Sequence, residues 1–82
     1  MPVYMVRVPG VAIVPHDTGI ETDCYYESKS ISRAKREAQI AIQEYQSADV
    51  YRLNESDAAG IRSGSTGWSL GTIVATYRRS KQ

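Results

Sequence analysis

Residues Ser30–Tyr45, SISRAKREAQIAIQEY, carry the only sustained helical period in the chain. Ile31, Ala34, Ala38, Ala41, Ile42 and Tyr45 recur at spacings of three and four, which puts them on one face of an α-helix. The polar face carries Arg33, Lys35, Arg36, Glu37, Gln39, Gln43 and Glu44. Ser30 suits an N-cap, because its hydroxyl accepts from a free backbone N–H of the first turn. Ala34 and Ala38 are small enough to let the helix lie close to a sheet. Ser47, Ala48 and Asp49 break the pattern, and a strand is expected from Val50.

The charge on this helix runs against its own physics. Arg33, Lys35 and Arg36 occupy the first two turns, Lys29 lies just ahead, and Glu44 sits near the far end. Cations near a helix N-terminus oppose the macrodipole, at about 0.3–1 kcal/mol each when exposed. The ordinary explanation is a solvated polar face. The sharper one is a basic cluster that meets an acidic partner.

Short β-type runs flank the helix. Val3–Val8 (VYMVRV) reads as a strand, with Tyr4, Val6 and Val8 as its core face. Pro9-Gly10 marks a turn, and Val11–Val14 is a short apolar run. Pro15–Gly19 is a loop by composition. Ile20–Tyr26 alternates: Ile20, Thr22, Cys24 and Tyr26 face the core, and Glu21, Asp23, Tyr25 and Glu27 form an acidic outer face. After the helix, Val50–Leu53 is a strand, and Trp68–Tyr77 is the last one, with Gly71 permitting a bulge or a close approach. Residues 54–67 are rich in Gly and Ser and read as a long mobile loop with at most one helical turn over Ser56–Ala59.

The expectation is a single α+β domain over residues 1–82, in the order β-β-α-β-β. One helix packs on one face of a small four-stranded, mainly antiparallel sheet. Eighty-two residues bury only a modest core. The second sheet face is then left bare, either wet or used for binding.

No chemistry-bearing motif stands out. His16 and Cys24 lack the ligand spacing of a metal site, and Cys24 is expected in the core. Residues 64–67 form neither a nucleophile elbow nor a P-loop. Nothing assembles acid, base and oxyanion roles, so no catalytic residue, metal or cofactor is expected and the chain is not read as an enzyme. Ten bases against nine acids give a net charge of +1, which argues against a DNA-coating protein. The single cysteine fits a reducing cytoplasm. No secretion signal or membrane span is apparent.

The expected contact residues are Lys29, Arg33, Lys35, Arg36, Arg52, Arg62, Trp68, Arg78 and Arg79. Six tyrosines and a tryptophan, with no phenylalanine, suit wet contact surfaces as well as core filling. The tyrosines and arginines also suit stacking on a single nucleic-acid strand.

The strand entering ESKSISRAKREAQIAI, followed by VYRLNES and a Gly-rich turn into a last strand, resembles small phage or prophage accessory proteins. Some of these are anti-CRISPR proteins or other inhibitors of host machinery. The resemblance implies a stand-alone inhibitor that binds a host protein or ribonucleoprotein complex and blocks a surface or a movement. A small nucleic-acid-binding domain is the alternative, and a homodimer is a further expectation.

Overall fold

A computed structural model describes residues 1–11 and 23–79. The apolar run 12–14, the Pro15–Gly19 loop with His16, the expected strand start at 20–22, and Lys81 lie outside the described residues.

The elements are β1 (Val3–Arg7), β2 (Cys24–Ser28), α1 (Ile31–Ala41), β3 (Ser47–Leu53), α2 (Glu55–Ser63), a 3-10 turn (Trp68–Leu70) and β4 (Thr72–Arg78). The strands form one antiparallel sheet in the order β2-β1-β3-β4. The α+β class and the four-stranded sheet are as expected. The single helix is not: a second helix follows β3, so the order is β-β-α-β-α-β.

Helix α1 lies on one sheet face. Ala34, Ala38 and Ala41 are buried against Val6, Val8, Ala48 and Val50. Alanines at the contact let the backbones approach closely, and full burial of a Val side chain contributes about 1.5–3 kcal/mol. Ile42 and Tyr45 pack at the margin of this core. Ile31, expected there too, is 37% exposed at the first position of the helix. Ser30 caps the helix, its Oγ accepting from Arg33 N–H at 3.3 Å.

Helix α2 replaces the expected 54–67 loop. Asn54 is its N-cap, with Oδ1 accepting from Asp57 N–H at 2.8 Å. Its C-terminus closes in a Schellman motif. Ser65 N–H donates to Gly60 O at 2.9 Å, Gly64 N–H donates to Ile61 O at 3.1 Å, and Gly64 is left-handed at φ 78°. Ala58 and Ile61 pack on Val3, Met5, Tyr51 and Leu53, so the second sheet face is partly covered rather than bare. Gly71 lies so close to the sheet that a Cβ there would be 2.9 Å from Leu53 Cγ. Trp68–Leu70 form a 3-10 turn, so β4 starts at Thr72 instead of Trp68.

Both edge strands carry a bulge. On β2, Val6 pairs with Tyr26 and Arg7 with Cys24, leaving Tyr25 as the extra residue. On β4, Val50 pairs with Ala75 and Tyr51 with Ile73, leaving Val74 as the extra residue. Val6 and Val50 are themselves partners at the sheet centre. Each bulge turns two successive residues, Tyr25 with Tyr26 and Val74 with Ala75, toward the α1 core. Strict alternation therefore fails in β2. Tyr25, expected outward, packs toward α1 and meets Tyr45 edge-on at 5.9 Å. Cys24 and Tyr26, expected on one face, belong to opposite ones.

Candidate functional site

Strand register decides which of the expected contact residues meet. Ser28, Tyr4, Arg52 and Thr72 stand level at one end of the sheet. Helix α1 begins three residues beyond Ser28, at that same end. Arg52 is two residues from Val50 in β3 and so points to the same side, that of α1. Lys29, Arg33, Lys35, Arg36 and Arg52 thus share one end of the molecule.

No acid occupies the first turn of α1. Arg33, Arg36 and Arg52 are exposed and Lys35 is half-buried. Lys29 reaches Glu55 at 3.5 Å, with both side chains largely in solvent, so that pair contributes little. Among the described residues the ion pairs engage Arg7, Lys29, Arg62 and Arg78. Arg33, Lys35, Arg36, Arg52 and Arg79 take part in none of them.

The remaining expected contacts lie elsewhere. Arg78 pairs with Ser47 at the opposite end of the sheet, and Arg79 follows it. Arg62 projects from α2 to grip Glu27 on the second face, at 2.7 and 3.2 Å. Trp68 is half-buried on the same face, tilted against Tyr51 with ring centroids 4.9 Å apart.

Trp68 belongs to a cluster that sequence alone does not assemble. Asp23 Oδ2 accepts from Arg7 Nε at 2.7 Å, and Asp23 Oδ1 accepts from Trp68 Nε1 at 2.7 Å. The guanidinium of Arg7 stands 5.6 Å from the Trp68 ring centroid and donates to Tyr51 Oη at 3.4 Å. Burial works to lower the Arg7 pKa, but hydrogen bonds to Asp23 and Tyr51 outweigh it and hold the group above its ordinary value. Arg7 is in register with Asp49, and buried Asp49 accepts from Arg78 at 3.0 Å. The result is a row of alternating sign across the second face: Asp23, Arg7, Asp49, Arg78. The signal in sequence was faint: an arginine and an aspartate set in otherwise apolar strands.

Cys24 is half-buried beside the second core, and burial, reinforced by Glu27, pushes its thiol up to about 12. It is a protonated thiol at neutral pH, not an activated nucleophile. Among the described residues no group of three or more His, Cys, Asp or Glu side chains is placed to hold a metal ion. No helix among them is long and apolar enough to cross a membrane.

No protein-family model, curated protein or solved structure matches the chain.

Proposed function

We propose that the chain is a non-catalytic, cytoplasmic binding protein that occupies an acidic surface of a protein or ribonucleoprotein complex. It acts as a phage-type inhibitor, in the manner of the anti-CRISPR proteins that its sequence pattern resembles. One observation carries this reading. Arg33, Lys35, Arg36 and Arg52 stand at one end of the molecule, without carboxylate partners among the described residues. Arg33, in the first turn, also works against the dipole of its own helix. Oriented charge of this kind steers association and selects partners.

The test is affinity purification from host cells with wild-type protein and with Arg33→Glu/Lys35→Glu/Arg36→Glu. The expected result is a specific partner captured by the wild type and lost by the variant. Unchanged capture of every partner would return the cluster to ordinary surface.

A second reading is a nucleic-acid-binding domain. It draws on Tyr4, half-buried and in register with Arg52, as a stacking partner beside a cation. Against it, Tyr51 and Trp68 are engaged with each other and with Arg7 and Asp23. Fluorescence anisotropy with a labelled single strand decides: tight binding that weakens steeply with salt supports this reading, and a flat titration at low salt ends it.

A further inference from the structure

Outside its buried alanine stripe, α1 carries cations near its start and a carboxylate near its end. Arg33 and Arg36 are exposed near its start. Glu44 is exposed near its end, where Gln43 N–H donates to Ile40 O and Tyr45 N–H to Ala41 O, so the spiral continues past Ala41. Between the two ends lies Ile40, 43% exposed on a helix whose other face is buried. Residues 33, 37, 40 and 44 follow the four-three-four spacing of a helix–helix seam. Glu37 and Glu44 lie beside Tyr25, whose phenol is raised by burial first and by those two carboxylates next. This places the acidic end of the seam on the β2 side of α1.

Each set of charges is misplaced in a lone helix, with cations at the positive end of the macrodipole and Glu44 at the negative end. A second copy laid antiparallel reverses both relations. Each arginine then stands beside the partner's helix C-terminus, and each Glu44 beside the partner's N-terminus. Arg33 and Glu44 are eleven positions apart, about 16 Å along the axis, so a two-fold axis near residues 38 and 39 sets Arg33 of each copy against Glu44 of the other. In this register each Ile40 stands level with Glu37 of the other copy, and the two Ile40 side chains flank the two-fold axis, about 4.5 Å apart along the helices. Lys29, Lys35 and Arg52 stand off this seam.

We infer that the flank of α1 that carries Arg33, Glu37, Ile40 and Glu44, on its β2 side, pairs antiparallel with α1 of a second copy of this chain, through reciprocal Arg33–Glu44 contacts around Ile40. This goes beyond the binding role proposed above and does not rest on it. One short helix buries less than the roughly 800 Å² per partner of a standard interface, so the dimer is weak and concentration-dependent.

Sedimentation equilibrium from micromolar to millimolar protein tests it, with circular dichroism to confirm folding of each variant. Wild-type protein is expected to pass from monomer to dimer, less readily at high salt. Arg33→Glu alone and Glu44→Arg alone are each expected to weaken self-association by about fivefold or more, since each places two like-charged contacts in the dimer. The double variant Arg33→Glu/Glu44→Arg restores opposite signs and is expected to recover most of the loss. A monomer at every concentration leaves the face to some other partner and overturns the inference. So does a dimer that is indifferent to both single reversals, or one that the double variant fails to recover. Partner capture is measured separately, so failure here does not imply failure of the inhibitory reading.

Discussion

Trp68 donates its indole N–H to Asp23 at 2.7 Å across 45 positions of sequence. The same carboxylate holds Arg7, so one side chain fastens the 3-10 turn, the start of β2 and the end of β1 together. Asp23→Ala removes both bonds and leaves a partly buried guanidinium without its carboxylate. The expected cost is about 1.5–3 kcal/mol, read from urea unfolding, with a red shift of Trp68 emission in the folded state.

Arg33→Glu separates stability from binding. Residue 33 is the third position after the Ser30 cap, and a glutamate there completes a capping box while removing a cation from the positive helix end. The monomer is expected to gain about 0.5–1 kcal/mol by thermal or chemical unfolding. Partner capture and self-association fall in the same variant. A loss of stability would mean that Arg33 serves the fold itself.

Two glycines are expected to resist substitution for different reasons. Gly64→Ala forces a side chain into left-handed backbone and costs about 1–2 kcal/mol. Gly71→Ala drives a methyl group into Leu53 and Tyr51 and costs about 1–3 kcal/mol. Denaturant midpoints measure both. A Gly71→Ala protein as stable as wild type would show that the turn after Trp68 shifts freely.

Cys24 makes stability pH-dependent on the alkaline side. Its thiol is held at about 12 in the fold against an ordinary value of 9.0. The folded form keeps its proton where the unfolded chain releases it. The contribution is therefore fully present below about pH 9 and is lost as pH rises toward the folded value. Unfolding of wild type and Cys24→Ser between pH 8 and about 11 is expected to show a steeper decline in the wild type. Thiol labelling at neutral pH is expected to be slow until denaturant is added.

Much of this architecture is legible in residue order, and the failures have physical causes. Helix α1 is plain because its period is long and its buried residues are small. Helix α2 is obscured by Gly60 and by a Ser/Gly-rich tail, although its start and stop signals stand in the sequence: Asn54 before Asp57, Arg62 in the last turn, Gly64 beyond it. The bulges at Tyr25 and Val74 leave no local mark, since an extra residue in a strand is defined only by its neighbour. In the candidate site, Lys29 to Arg36 is visible as a contiguous cluster. Arg52 joins it only through strand register, and Arg62 and Arg78 turn out to be held by Glu27 and Asp49 from distant parts of the chain.

The paired bulges beside Val6 and Val50 also govern how the protein meets its own kind in a crowded solution. A straight outer strand is a template on which further strands can lay down hydrogen bonds and grow into fibrils. Here both margins carry an inserted residue that turns side chains toward α1, so neither presents an unbroken pleat. Intermolecular contact is thereby diverted from backbone edges, which attract any extended chain, to side-chain surfaces, where charge and shape discriminate.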